Sequence, residues 1–341
     1  MDFFMNPRSF ITVSIALLAS VSFAGCDNVH MCDQDITYAY HTPLPIPDEG
    51  SLADPNIIRV GCTWYLYGTH SQTDLQVWYS DDLLNWTEGP TVWTPSLEWQ
   101  TKDNLCGIWA PHVEVNWNGF YLYYTANCRI GVAFSESPTG PFVEVYDHPL
   151  IGNGYGGIGD GVLTGDMLLD NDDLAIDPFV LRTAGEEIFL FHNAFTPAST
   201  IFAQRMPDLM SVDGNPEMML EPDLQSWEGF IREGAFVLQE GSKFYLMYSG
   251  NMYDTAEYAL GVATADEPMG PYTRDPRNPI LKKNLETGIY GPGHNGVAPG
   301  VHGEWLIFYH TKVEEAQGDL RQVRYGPLWF DEEGRLNVEQ P

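Results

Sequence analysis

Three acids stand at corresponding places in this chain: Asp54 in ADPNIIRV, Asp177 in IDPFVL and Glu233 in REGAFVL. Each lies where an apolar, β-rich run begins. Carboxylates gathered in one pocket can cleave a glycosidic bond with inversion. An ionised one activates water while a protonated one donates to the leaving oxygen, the two roughly 6.5–9.5 Å apart to admit that water. A third raises the acid's pKa by repulsion and keeps its proton on at working pH. Crowding three negative charges is costly, so it calls for a purpose or a counter-ion. The competing explanation for each acid is a turn or bulge residue, since Asp before Pro is common in turns. Recurrence at one place in a repeat favours the chemistry.

That repeat is what must position them. ADPNIIRVGCTWYLYGT from Ala53 reads as strand, turn and strand. So do APHVEVNWNGFYLYYTA from Ala110, IDPFVLRTAGEEIFLFHNA from Ile176, GAFVLQEGSKFYLMYSG from Gly234 and APGVHGEWLIFYHT from Ala298. The second strands start at Trp64, Phe120, Ile188, Phe244 and Trp305, a spacing of roughly 56 to 68 residues. A third strand follows in each copy, at Leu75–Ser80, Ile130–Ser135, Ile201–Arg205, Leu260–Thr264 and Arg321–Tyr325. A turn and a fourth apolar segment complete the unit. SESPTGPF from Ser135 is echoed by ADEPMGPY from Ala265. No long amphipathic helix pattern is present. Four antiparallel strands repeated five times predict an all-β fold, a five-bladed β-propeller of one domain over residues 51–341. A β-sandwich of the same hairpins would show no regular copy number. In a propeller the first strand of each blade lines the central channel. The five strand starts, Asp54, Ala110, Asp177, Glu233-Gly234 and Ala298, would then face one another.

The chain has 341 residues, 44% of them hydrophobic and 13% aromatic, enough for a sizeable core. Its formal net charge of -31 repels nucleic acid and anionic lipid headgroups, and suits solubility and a neutral or cationic ligand. Residues 1–25 read as an export signal, with the apolar run FITVSIALLASVSFA too short to span a bilayer. Two cleavage readings stand: a small-x-small site at Ser22-Phe23-Ala24, or a lipobox ending at Cys26, which would carry a lipid anchor. The protein is therefore expected to be secreted or lipid-anchored at the cell envelope, and a monomer. Residues 26–50 read as an N-terminal linker segment. With Cys26 lipidated, Cys32, Cys62, Cys106 and Cys128 remain, allowing one or two disulfides of undetermined pairing in an oxidising compartment. No zinc spacing appears.

Two further residues belong with the acids. Trp109, immediately before its blade strand, is a candidate sugar-stacking platform, with core packing the alternative. His294 in GPGHNG is a candidate ligand for substrate or for a central ion, with a loop-ordering hydrogen bond the alternative. Asp160, Asp166, Asp170, Asp172 and Asp173 lack EF-hand spacing and read as a solvated loop.

In the order and spacing of ADPNIIRVGCTWYLYGT, SDDLLNWTEGP, GIWAPHVEV, IDPFVL, REGAFVLQEGSKFYLMYSGN, GPGHNGV and RQVRYGPLWFDEEGRL, the chain resembles glycoside hydrolase family 43 from about residue 50 onward. The resemblance implies five-bladed propeller enzymes acting on arabinan, xylan and related polymers by inversion. It implies Asp54 as general base, Glu233 as general acid and Asp177 as the pKa-tuning, orienting carboxylate. It also implies Arg321 reaching the substrate pocket, and His294 helping to hold a structural calcium or other ion, with no cofactor required for the chemistry. Two motifs depart from the family pattern: His112 stands where Asp or Glu is usual after Trp-Ala-Pro, and Ala235 where Pro is usual after Glu-Gly. Both bear on the subsite. The expected activity is an exo-acting α-L-arabinofuranosidase on oligosaccharide or polysaccharide, with β-xylosidase as a second activity. An endo-α-1,5-L-arabinanase is the enzymatic alternative, and a glycan-binding propeller without catalysis the non-enzymatic one.

Overall fold

Alternation decides the architecture. In FYLYY, from Phe120 to Tyr124, successive side chains point to opposite faces of a strand, yet all are apolar or aromatic, so both faces must be covered. The computed structural model, which describes residues 36–46, 51–102, 106–152, 174–195, 198–316 and 318–341, shows how. Among the described residues, twenty strands form five four-stranded antiparallel meanders. Blade one comprises β1 (Ala53–Val60), β2 (Thr63–Thr69), β3 (Leu75–Ser80) and β4 (Thr87–Trp93). Blade two comprises β5 (Ile108–Asn116), β6 (Gly119–Ala126), β7 (Arg129–Ser135) and β8 (Val143–Glu144). Blade three comprises β9 (Ala175–Arg182), β10 (Ile188–Phe195), β11 (Ser199–Asp208) and β12 (Ser211–Met218). Blade four comprises β13 (Arg232–Glu240), β14 (Lys243–Gly250), β15 (Ala259–Ala265) and β16 (Thr273–Arg274). Blade five comprises β17 (Tyr290–Pro299), β18 (Trp305–Lys312), β19 (Arg321–Phe330) and β20 (Leu336–Val338).

The blades close into a ring, and a buried apolar cluster fills each gap. Leu122 of β6 packs toward blade one with Val77 and Ile58. Its neighbours Tyr121 and Tyr123 pack toward blade three with Val180 and Leu190. Leu246 meets Phe191 between blades three and four, Met247 meets Ile307 between four and five, and Phe308 meets Leu66 where five meets one. Burying apolar surface on both faces of the strands is the main favourable term holding such a ring.

Each inner strand carries the same defect. Between the pairs Ala53↔Thr69 and Asn56↔Tyr67, two residues of β1 oppose one of β2. The same bulge follows Trp109↔Thr125, Ile176↔Asn193, Glu233↔Ser249 and Gly293↔His310. The first bulged residue is always left-handed: Asp54 at φ 50°, Ala110 at 41°, Asp177 at 56°, Gly234 at 61° and His294 at 47°. Bulges re-aim side chains, and positive φ in a non-glycine residue costs on the order of 1–3 kcal/mol. The Pro after Asp54, Ala110 and Asp177 fits because the second bulged residue gives no hydrogen bond to the ladder.

This corrects one expectation. The fifth blade's inner strand begins at Tyr290, not Ala298, so His294 rather than Ala298 occupies the fifth bulge. The Gly-rich sequence GPGHNG disguised that strand as a loop. Glu233 stands one residue before its bulge, in register with Trp109, while Gly234 occupies the left-handed position.

Neighbouring blades satisfy the bulge amides. Thr69 Oγ1 accepts from the Ala110 amide at 2.8 Å, and Thr125 Oγ1 from that of Asp177 at 3.1 Å. Ser249 Oγ accepts from the His294 amide at 2.7 Å, and His310 Nδ1 from that of Asp54 at 3.2 Å. At the remaining junction the Gly234 amide donates to Asp177 Oδ2 at 3.3 Å. Cys106 and Cys128 form a disulfide, Cα atoms 5.1 Å apart, tying the chain before β5 to the β6–β7 turn; Cys62 is also disulfide-bonded. The expected export signal over residues 1–25, Cys26, Cys32 and the aspartates from Asp160 to Asp173 lie outside the described residues.

Thr125 is fully buried. Thr125→Val keeps its shape but strands the Asp177 amide, and should cost about 1–3 kcal/mol in chemical denaturation at unchanged m-value. Unchanged stability would show that water or a shifted side chain replaces the hydroxyl.

Candidate active site

Four of the five bulges, with Glu233, build one polar site. Asp54, 8% exposed, is held by both oxygens. Thr69 donates to Oδ2 at 2.6 Å, and Arg321 Nη1 donates to Oδ1 at 3.2 Å. His294 Nδ1 lies 3.3 Å from Oδ1, and His310 Nδ1 3.2 Å. Burial alone would raise the Asp54 pKa; His294 and Arg321 outweigh it and hold the group well below the usual carboxylate range. Of these two, Arg321 carries the fixed charge, because burial lowers His294. Burial pushes His310 down to about 4, so its ring is neutral near pH 7. An amide can only donate, so the neutral His310 Nδ1 accepts from the Asp54 N–H and offers no proton to Oδ1. Arg321 is therefore the cation that keeps Asp54 ionised.

The other two acids are biased the opposite way. Burial raises Asp177 well above its ordinary value, with Glu233 and then Asp54 adding repulsion. Burial also raises Glu233, to about 7, and Asp54 adds to it, against a lowering hydrogen bond from Tyr258. Asp177 and Glu233 titrate together, so the retained proton belongs to the pair. Tyr258 donates to Glu233 Oε1 at 2.8 Å and stacks on the His310 ring, with centroids 5.5 Å apart. The space these groups share is tight. A Cβ on Gly234 would come within 2.9 Å of the His294 ring, and its φ of +61° also favours glycine.

The residues expected from sequence thus fall as follows. Asp54, Asp177, Glu233, His294 and Arg321 converge. Trp109 is partly exposed at the register position of Glu233, its Nε1 donating to Gln72 Oε1 at 3.2 Å. Arg321 also lies 4.7 Å over the Tyr253 ring. His112 is buried, bonded through Nδ1 to Asn56 Nδ2 at 3.2 Å and packed edge-on against Phe179 at 4.9 Å, and burial pushes it down to about 3. Ala235 is buried in the gap between blades three and four.

Calcium prefers six to eight oxygen ligands. His294 directs Nδ1 at Asp54, and no group of three or more His, Cys, Asp or Glu able to hold a metal occurs among the described residues. These residues do not fit a protein-built calcium cage.

Thr69, Ser249, Tyr258 and His310 were missed from the sequence. For three of them a signal existed. The residue pairing with the position before each bulge is Thr69, Thr125, Asn193, Ser249 or His310, always polar at the end of an apolar second strand. Tyr258 lies between strands and carried no pattern.

The pattern of glycosyl hydrolases family 43 matches residues 45–336. The chain is 26% identical to a β-D-galactofuranosidase of Aspergillus niger, over 84% of this chain and 82% of that protein. It is 26% identical to an extracellular exo-α-(1→5)-L-arabinofuranosidase of Streptomyces chartreusis, over 82% and 88%. Relatives named as an endo-arabinanase and as xylosidase/arabinosidases match at similar identity. Among solved structures, a thermostable family-43 glycoside hydrolase superposes with a TM-score of 0.72 at 28% identity, covering 88% of this chain and 96% of that one. With its five blades and its convergent carboxylates, the chain belongs to glycosyl hydrolases family 43 and is an inverting glycosidase.

Proposed function

We propose that this enzyme is an exported, exo-acting α-L-arabinofuranosidase with β-xylosidase as a second activity, in which Asp54 is the general base, Glu233 the general acid and Asp177 the carboxylate that tunes Glu233. One observation carries the roles: a single pocket pushes Asp54 down and the Asp177–Glu233 pair up. Carboxyl groups pushed apart in this way divide base from acid. Asp54 takes a proton from water as its oxygen attacks the anomeric carbon. The bond to the leaving group breaks as the Glu233 proton passes to the departing oxygen. Attack from the opposite face inverts the anomer. Trp109 at the register position of Glu233 supports a stacking surface for the sugar, and Arg321 between Asp54 and Tyr253 supports a contact to its hydroxyls. Furanose specificity is supported by two relatives named as furanosidases that each match more than four-fifths of this chain. Export is supported by relatives named extracellular and by the apolar start of the chain, with Cys26 the proposed lipid anchor.

Aryl α-L-arabinofuranosides should be hydrolysed with inverted product, and Glu233→Gln and Asp54→Asn should each lower kcat by about 10²–10⁴-fold. Linear arabinan should yield arabinose; longer oligosaccharides would replace the exo reading with an endo one. A parent protein that cleaves nothing in a glycoside panel, while it and both variants bind glycans, would make this a sugar-binding propeller.

The pH profile has a definite sign. Asp54 must be ionised, so activity is lost as pH falls through its depressed pKa. Glu233 must be protonated, so activity is lost as pH rises through about 7. Arg321 lowers all three acids. Arg321→Met should therefore move both limbs of kcat/KM to higher pH, the acid limb by about 1–3 units. An acid limb that stays put would show that Arg321 does not hold Asp54.

Mass spectrometry of the mature N-terminus should find diacylglyceryl Cys26. A free terminus at Gly25 would mean secretion without an anchor.

A further inference from the structure

Tyr258 makes contacts that a structural aromatic does not need. Its ring is fully buried between His310, stacked at 5.5 Å with an interplanar angle of 5°, and Gly293, where a Cβ would sit 2.4 Å from the ring. Glycine at that position makes room for the phenol. The hydroxyl then has a defined direction. The hydroxyl donates to Glu233 Oε1 at 2.8 Å. A carboxylate oxygen only accepts, so this bond runs from the phenol to one oxygen of the Glu233 carboxyl group.

We propose that Tyr258 is the positioning residue for the proton of Glu233: by occupying Oε1 as a donor it confines the transferable proton to Oε2. A carboxylic acid has two oxygens and one proton, and only the oxygen aimed at the leaving group is useful. A donor fixed on one oxygen leaves the proton to the other. Because the same bond favours the ionised carboxylate, it also stops the buried group from rising further. The groups facing Glu233 are Tyr258 before β15, Asp177 of β9, Asp54 of β1 and Arg321 of β19, with the His294 ring against Gly234. Tyr258 is the one among them that reaches Glu233 through a hydrogen bond. Its own pKa is driven well above the ordinary tyrosine value by burial and by Glu233, so it stays a donor throughout the working range.

This inference rests on the assignment of Glu233 as the acid, and the test separates the two. Tyr258→Phe keeps the ring against His310 and Gly293 and removes only the donor. The alkaline limb of kcat should move up by about one pH unit. kcat should fall at least tenfold on an aryl arabinofuranoside with a poor leaving group, which needs the proton. On a 2,4-dinitrophenyl arabinofuranoside, which leaves without it, the loss should be under threefold. Equal losses on both substrates, or an unmoved alkaline limb, would reduce Tyr258 to a packing residue. Infrared pH-difference spectra, with Glu233→Gln identifying the carboxyl band, read the same pKa shift without any substrate. A Glu233 band with the same pKa in Tyr258→Phe as in the parent overturns the proposal even if the sugar specificity has been misjudged. A parent that cleaves no arabinofuranoside, together with a shifted band, leaves Tyr258 in place and removes only the substrate reading.

Discussion

Everything in this molecule depends on how five inward-turned backbone amides are satisfied. A bulge in each inner strand turns one residue into the left-handed region and withdraws its N–H from the blade's own ladder. An unpartnered buried amide costs about as much as a hydrogen bond, so none can be left open. The solution is to reach across the gap between blades: four of the five amides are taken by a polar side chain at the end of the previous blade's second strand. These bonds join blade to blade at the place where the bulges aim side chains at one another. The last of them, from the Asp54 amide to His310, joins the end of the chain to its beginning. Ring closure and the setting of Asp54 are thus the same event.

The junction that breaks the rule is the informative one. Asn193 stands where Thr, Ser or His stands elsewhere, and it donates to the Arg232 carbonyl at 2.6 Å instead of accepting an amide. The Gly234 amide is left to Asp177 Oδ2. One of the three clustered carboxyls therefore does the structural work of that junction. The arrangement fixes Asp177 beside Glu233, and the single N–H lowers its pKa without cancelling the rise from burial and repulsion. One hydrogen bond locates the carboxyl; it is too little to keep it ionised next to a second one.

Much of this was legible in the sequence because periodicity records burial. Apolar runs such as Phe244–Tyr248 and the recurring turns fixed the number of blades, and the third strands start within two residues of expectation, although β11 and β19 run three and five residues beyond their expected ends. Asp54 and Asp177 were visible because both alternatives for them hold at once: each is a bulge residue and a site residue. The fifth bulge was not legible, because the stretch from Tyr290 to Asn295 lacks apolar alternation and takes its strand conformation from β18, which covers it. Tyr258 was not legible either. Its meaning comes from Gly293 and His310, residues distant in sequence that only closure brings to it. The disulfide partner of Cys106 had to come from geometry for the same reason.

The counter-ion follows from this argument. Three carboxyl groups in a buried pocket would all protonate unless a fixed cation favoured one of them. Arg321 does so, and its own placement depends on both ends of the chain. It opens β19, and β20 pairs with β19 only at Leu328, Trp329 and Phe330. The first half of β19 is covered instead by the N-terminal segment: the His41 amide donates to the Tyr325 carbonyl, Leu44 to Val323 and Leu52 to Arg321. Ser51 Oγ accepts from the Arg321 amide at 2.9 Å. Tyr38, Tyr40 and Leu44 add apolar contacts to the cluster shared by blades five and one. The segment before the first blade thus braces the strand whose first side chain keeps Asp54 ionised. A change that loosened residues 36–46 would reach Asp54 through that charge, without touching any of the three acids.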